Sequence, residues 1–196
     1  SGIAGVVLVP ASGTKRRDLE EFENRRRPLF MAVRRIGKTS FDYVGANPMV
    51  GMQIATEHLI SLGHKRIGFV GGYQRNFAYS ERYAGFASSL VNHGLALESD
   101  LIYNGGSTRE FGRCAAEKLL ALEKKPSALI GYNDLVAIGI MDAVKAAGLI
   151  VGRQIAVIGY DDIPEAALQP VSLTSVSTPA LKLGEILGEA LQSWSI

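Results

Sequence analysis

The sequence predicts an α/β protein whose parallel sheet is wrapped by helices on both faces. From residue 42 onward, short apolar runs alternate with polar loops and amphipathic stretches of helical length. Glycines stand where the helical stretches stop, at Gly63, Gly94 and Gly148. Parallel strands also need long crossover connections, and the intervening helices supply them.

The opening section contains a strand at Ile3–Val9, a helix over 15–25, a second strand at Leu29–Val33 and a short third at Tyr43-Val44. A helix over 48–62 follows, with Asn47 as N-cap, Pro48 at the first helical position and Gly63 just past its end. Strand Ile67–Val70 precedes a helix over 80–93, and strand Leu101–Tyr103 a helix over 108–122. The latter opens on Ser107-x-x-Glu110, a capping-box spacing. Strand Ala128–Tyr132, a helix over 134–147, strand Ile155–Gly159 and a helix over 180–193 complete the pattern. It is ordinary α/β alternation rather than a solenoid repeat.

A chain of 196 residues, 47% apolar and 20% charged, can bury one sizeable core or two small ones. Runs such as Ile3–Val9 are too short to span a bilayer, so no membrane partner is expected. Ser1-Gly2-Ile3 lacks a leader pattern, and the lone Cys114 excludes an internal disulfide. Both features lead to the expectation of a cytoplasmic protein. The net charge of +2 is too small to imply nucleic-acid binding. Basic residues cluster at Lys15-Arg16-Arg17, Arg25-Arg26-Arg27 and Arg34-Arg35. With acids leading and bases trailing in Asp18–Arg27, and no aromatics interleaved with the arginines, that segment reads as a solvated helix rather than a DNA patch.

In open parallel sheets, ligands bind beyond the carboxyl ends of the strands. After the successive strands stand Gly71-Gly72-Tyr73 with Ser80-Glu81-Arg82, then Asn104-Gly105-Gly106-Ser107, Asn133-Asp134 and Tyr160-Asp161-Asp162. A guanidinium only donates, a carboxylate only accepts and an amide does both, so this set suits a polyol or sugar. Each residue also has a plainer role: Ser107, Asn133 and Asp134 as helix caps, Asp161 and Asp162 as turn residues, Arg82 as a solvated first-turn residue. The coincidence at one edge favours the ligand reading.

Patterns for catalysis are missing. There is no Walker-type loop, no G-x-G-x-x-G after a strand and no G-x-S-x-G elbow. His58, His64 and His93 lack metal-ligand spacing, and the last two fall at helix ends, where a structural role is expected. Cys114 reads as a packed core thiol. The expectation is a binding protein without enzyme activity, metal or cofactor.

Several further segments stand out in order along the chain. They are Ala55-Thr56-Glu57-His58-Leu59-Ile60-Ser61-Leu62-Gly63-His64-Lys65-Arg66-Ile67, then Glu81-Arg82-Tyr83-Ala84-Gly85-Phe86 and Tyr132-Asn133-Asp134-Leu135-Val136-Ala137-Ile138-Gly139. Further along come Ile155–Asp162, Leu173-Thr174-Ser175-Val176-Ser177-Thr178-Pro179 and Leu183-Gly184. Together these segments resemble the effector-binding core of lactose-repressor-family transcriptional regulators, and the resemblance implies two Rossmann-like subdomains of the type I periplasmic-binding-protein fold, with ligand held in a cleft. Residues 1–45 and 178–196 would form an incomplete N-terminal subdomain and residues 46–177 the C-terminal one. It also implies a DNA-binding headpiece, a hinge helix and two strand–helix units ahead of Ser1, and a final strand beyond Ile196.

Carried over residue by residue, the resemblance makes Arg82, Asn133 and Asp161 the groups that hold ligand hydroxyls. Arg34 matches an arginine that often follows the second strand, although Val33 stands at the neighbouring acidic position. Ser107 replaces a frequent aromatic platform, and Ala46 stands where an Asp usually precedes Asn47, which implies a ligand unlike the commonest sugars. Thr178 falls at the third crossover, where a polar contact is common. Ile163, Ala166 and Leu168, in segment Ile163–Val171, are expected at a homodimer interface; a plain surface connection is the other reading. The function implied is a repressor that couples a small polar effector, a sugar above all, to operator affinity. The alternative is a periplasmic sugar receptor of a transport system.

Overall fold

The computed structural model describes residues 5–11, 13–24, 28–37, 39–168 and 172–194, and eight strands among them form two wholly parallel sheets. The chain divides into two units, one comprising Ser1–Asn47, Asn76–Ala78 and Pro179–Ile196, the other Pro48–Arg75 and Tyr79–Thr178.

The smaller unit carries a three-stranded sheet of β1 (Val6–Leu8), β2 (Leu29–Ala32) and β3 (Asp42–Val44), in that order. Side chains of a strand alternate between faces. Leu29 and Met31 therefore meet Leu19, Val6, Leu8 and Phe22, while Phe30 and Ala32 meet Leu187 and Leu191 of α7 (Ala180–Ser193). The helix expected over 15–25 is a 3-10 turn, Arg16–Leu19, running into a short α1, Glu20–Asn24. The strand expected over Ile3–Val9 is shorter, with β1 covering Val6–Leu8. Ile3 and the Arg25-Arg26-Arg27 cluster lie outside the described residues.

The larger unit has five strands: β4 (Ile67–Val70), β5 (Ile102–Tyr103), β6 (Ala128–Gly131), β7 (Ala156–Asp161) and β8 (Thr174–Ser177). Their order is β5-β4-β6-β7-β8, a doubly wound arrangement whose direction of winding reverses between β4 and β6. Helices α2 (Pro48–Ser61) and α3 (Phe77–Asn92) cover one face against Ile67, Phe69, Ile130, Ile158 and Tyr160. The other face packs Val70, Leu129 and Val157 against α4 (Arg109–Leu120) and α5 (Asp134–Ala146). Helices α4 and α5 approach closely because Gly112 and Gly139 carry no side chain; a Cβ at Gly139 would overlap the Arg109 carbonyl oxygen.

Three expected boundaries are corrected. Helix α3 starts at Phe77 rather than 80, with the Asn76 side-chain oxygen accepting from the Ala78 amide at 3.0 Å. Helix α4 is capped by Thr108, whose hydroxyl accepts from the Phe111 amide at 3.2 Å, so Ser107 is not the cap. Leu101 belongs to a 3-10 turn, Ser99–Leu101, rather than to β5. Cys114 is also corrected: it is half-buried instead of packed in the core, and its thiol donates to Glu110 at 3.3 Å. The short α6 (Pro164–Ala167) follows β7. No helix among the described residues is long and apolar enough to cross a membrane.

Candidate ligand-binding rim

The reversal between β4 and β6 leaves a gap above their carboxyl ends, because the connections leave to opposite faces of the sheet. Two glycine pairs lace the loops there. The Gly71 amide donates to the Tyr103 carbonyl, Gly72 to Gly106, and Gly105 back to Gly72, at 2.6, 2.6 and 2.7 Å. Gly71 and Gly72 have φ of 99° and 78° and stand against Tyr132, where a Cβ would come within 3.0 and 2.7 Å. Those amides are spent on carbonyls, so this glycine-rich turn is built for close packing rather than as a phosphate cradle.

Arg82 is the centre of the rim. Because α3 begins earlier than expected, Arg82 sits in its second turn, on the buried face shared with Tyr79 and Phe86. It is 9% exposed, so the solvated alternative is excluded. Its Nη2 donates to Asp161 Oδ1 at 2.7 Å and its Nη1 to the Tyr132 carbonyl at 2.5 Å. The guanidinium carbon lies 3.7 Å over the Tyr160 ring and 4.6 Å over the Tyr132 ring. Two aromatic faces and two acceptors thus fix a charged group that would otherwise be costly to bury. Its Nε is buried with no hydrogen-bond partner among the described residues.

Asp161 ends β7 with φ of 106°, and Asp162 follows at 55°, both rare for residues with a side chain. The turn reorients the Asp161 carboxylate across the sheet edge onto Arg82. One oxygen is held there, and the side chain is 37% exposed, so the carboxylate keeps acceptor capacity beyond Arg82. The Thr178 hydroxyl donates to the Asp161 carbonyl at 3.1 Å, tying the end of β8 to the same turn.

Asn133 has both its plain role and a place on the rim. Its Oδ1 accepts from the Val136 amide at 2.9 Å as the α5 cap, and its Nδ2 donates to the Ser107 carbonyl at 3.2 Å. One donor and one acceptor position of the amide remain. Ser107 therefore contributes its backbone to orienting Asn133. Arg82 touches Asp161 directly and reaches Asn133 through the neighbouring Tyr132 carbonyl.

From sequence, Asp134 reads as a cap or rim residue; the structure gives it a different place. It is fully buried at the start of α5; Ile163 N donates to its Oδ2 at 2.8 Å and Ser175 Oγ to its Oδ1 at 2.6 Å. Burial pushes its carboxyl above the usual range, against the downward pull of those two bonds. Only the absence of a Gly159 side chain leaves room, since a Cβ there would overlap Asp134 Oδ1. A buried Asp beside an Asn cap has no periodic signal, but Ser175 and Gly159 fall opposite each other in the β7–β8 register.

The remaining expected ligand residues lie in the smaller unit or at its end. Arg34 is exposed, following Val33, whose φ of 63° is strained for a β-branched residue. The Arg34 amide donates to the Ala32 carbonyl at 2.5 Å. Ala46 is half-buried and its carbonyl accepts from the Tyr43 hydroxyl at 3.4 Å; Asn47 is exposed. Of the three residues expected at a dimer contact, Ala166 is corrected: it is buried within the chain at 1% exposure and offers no surface. Leu168 is 60% exposed and Ile163 half-buried, while residues 169–171 of that segment lie outside the described residues.

A cavity of about 550 Å³ opens at the opposite end of the sheet, lined by His58, Leu59, His64, Lys145, Val157 and Leu173 among others. None of Arg82, Asn133 or Asp161 lines it, so it is separate from the rim. His64 bonds Ser127 Oγ at 2.9 Å and His93 the Ser89 carbonyl at 2.9 Å. Among the described residues, no group of three or more His, Cys, Asp or Glu is placed to hold a metal.

Comparison with known proteins agrees with this architecture. Residues 56–194 match the periplasmic binding protein-like domain family. The chain is 34% identical to the HTH-type transcriptional repressor PurR of Actinobacillus pleuropneumoniae serotype 3 (strain JL03), over 91% of its own length and 53% of the relative's. It thus spans about half the length of the curated relatives it matches. A regulatory protein of the LacI family from Chloroflexus aggregans has a structure similar at a TM-score of 0.90, with 30% identity over 98% of this chain and 69% of that one. The transcriptional regulator CelR, solved as a complex with cellobiose, is similar at 0.86, with 27% identity over 98% and 59%.

Proposed function

Because this chain belongs to the LacI family of transcriptional regulators and carries its periplasmic binding protein-like domain, we propose that it is the effector-sensing part of a DNA-binding repressor. The effector is a small polyol, a sugar above all. The observation that carries this reading is the Arg82–Asp161 pair, whose carboxylate is part-exposed at the end of β7, with Asn133 just past the end of the adjacent strand β6 and its amide only partly used. Adjacent hydroxyls can donate hydrogen bonds to such a carboxylate while accepting from an amide N–H. The cellobiose complex of CelR is in keeping with that ligand class. Ala46, in place of an acidic residue, removes one acceptor and sets the ligand apart from the commonest sugars, and the aromatic platform that Ser107 replaces is missing or supplied elsewhere.

On this reading residues 1–45 with 178–196 belong to the N-terminal subdomain and 46–177 to the C-terminal one. The protein works in the cytoplasm as a homodimer, with Ile163 and Leu168 contributing to the contact, and performs no catalysis. Operator binding falls to a headpiece of the kind the family implies. The ligand shifts the balance between two conformations only by its difference in affinity for them.

A thermal-shift screen of sugars and polyols, with purines as the contrasting class, tests the proposal. A cognate ligand at a hundred times its Kd adds about 2.7 kcal/mol to the folded state. Asp161→Ala is expected to remove that shift while remaining folded, since Arg82 keeps the Tyr132 carbonyl and both rings. A variant that still binds like the wild type refutes the assignment, and a response to purines alone refutes the ligand class.

A further inference from the structure

We propose that Asp134, acting with Ser175, is the positioning residue that holds Asp161 in its unusual backbone conformation against Arg82. The inference rests on the reading of Asp161 as the acceptor for ligand hydroxyls. Asn133 already caps α5, so Asp134 is not needed at the helix end and turns inward instead. Its two oxygens collect the two backbone amides that follow Asp161. Ile163 N donates directly to Oδ2 at 2.8 Å, and Asp162 N donates to Ser175 Oγ at 3.1 Å, whose hydroxyl in turn donates to Oδ1 at 2.6 Å.

That arrangement answers a specific physical need. Asp161 and Asp162, at φ of 106° and 55°, would each relax toward ordinary extended or helical backbone if released. Fixing the next two amides on one carboxylate removes that freedom. No ion pair to Asp134 is found among the described residues; donors and the amino end of a 13-residue helix are what offset its charge. A carboxylate held at such cost on a face made of Gly159 is explained by what it orients. Ser175 is itself fixed, because the β7–β8 register sets it opposite Gly159, directly under Asp134. Residues 133 and 134 thereby tie two rim loops to one helix: Asn133 holds the Ser107 carbonyl, and Asp134 holds the turn after β7.

The test needs no ligand. Residue-resolved hydrogen exchange and the Arg82 guanidinium NMR resonances are measured on the 196-residue chain as wild type, Asp134→Asn and Ser175→Ala. Asp134→Asn is expected to speed exchange at the Asp162 and Ile163 amides by roughly tenfold or more, and to abolish the slowly exchanging Nη2 signal held by Asp161. The Leu129 and Ile130 amides of β6 report that the sheet is intact. Ser175→Ala is expected to free the Asp162 amide, weaken the Arg82 signal and leave Ile163 protected. Faster exchange at Ile163 with an unchanged Arg82 signal would reduce Asp134 to a loop anchor and overturn the proposal. Should Asp134→Asn not fold, Ser175→Ala decides in the same way through Arg82. Failure of the sugar reading would appear in the thermal-shift screen alone, and failure of the positioning role in these spectra alone.

Discussion

The two ends of the five-stranded sheet use the same strands and helices under opposite rules. At the amino end, α2 and α5 stop in the usual way: Gly63 and Gly148 take positive φ, and the Leu59 and Val144 carbonyls accept from His64 and Leu149. At the carboxyl end a guanidinium and a carboxylate are buried, and two aspartates take backbone angles that glycine prefers. Buried charge and backbone strain both lower stability unless the surroundings over-determine them. The difference teaches where this fold keeps its stability and where it gives some up for chemistry.

The largest expected effect separates the two ends by charge. Arg82→Ala removes a buried cation that Asp161, the Tyr132 carbonyl and two rings are built around, and is expected to cost about 2–3 kcal/mol. The carbonyl loses a charged donor and the rings their contact, while the part-exposed Asp161 carboxylate is left to solvent. The matching variant at the amino end is Arg66→Ala, whose side chain is 21% exposed against 11% for Arg82 and whose second partner, Asp100, is 51% exposed. Solvent screens that clip, so its loss is expected to fall well short of the loss at Arg82. Urea unfolding of both variants measures the contrast, and equal losses would erase it.

A smaller effect comes from glycine. Gly159→Ala would drive a methyl into the Asp134 carboxylate, a clash among groups that cannot move aside, and about 2 kcal/mol of destabilisation is expected. Gly63→Ala meets nothing within 4 Å and only strains a backbone at φ of 90°, for about 1 kcal/mol. Denaturant midpoints of the two variants rank them. If Gly159→Ala proves the milder, the carboxyl end is looser than its hydrogen bonds imply.

The amino end is also the more legible from sequence. Pro48, Gly63 and Gly148 announce their roles because capping is local: a residue type at a fixed offset suffices. The strand and helix alternation, and the convergence of Arg82 and Asp161 on one rim, follow from the same local rules plus the topology of parallel sheets. Contacts between residues far apart in the chain leave no such trace. The Asp134–Ser175 bond spans 41 positions and the fit of Asp134 to Gly159 spans 25, and no periodicity carries either. The Ser107 capping box fails for a local reason, since Thr108, one residue on, offers the same hydroxyl at the β-region φ/ψ the cap requires. Ala166 fails as a surface residue through its apolar character, the very property that buries it.

Acidification gives the smallest effect and divides the two ends by sign. Burial lowers the His64 imidazole below its ordinary 6.5 and raises the Asp134 carboxyl above its ordinary 3.8, because in both cases it disfavours the charged form. With His64 depressed in the folded state, the unfolded chain takes up the proton first, so stability falls as the pH drops through and below 6.5. With Asp134 raised, the folded chain takes up the proton first, so its contribution turns stabilising as the pH falls into the range above 3.8. Unfolding free energies measured from about pH 7.5 to about pH 4 are therefore expected to lose their upper slope in His64→Gln and their lower, opposite slope in Asp134→Asn. Were both slopes unchanged, neither end of the sheet would owe its protonation behaviour to the burial seen here. The same protonation weakens the acceptors that the Asp162–Ile163 turn depends on, so the acid side is where stability and rim geometry are expected to part company.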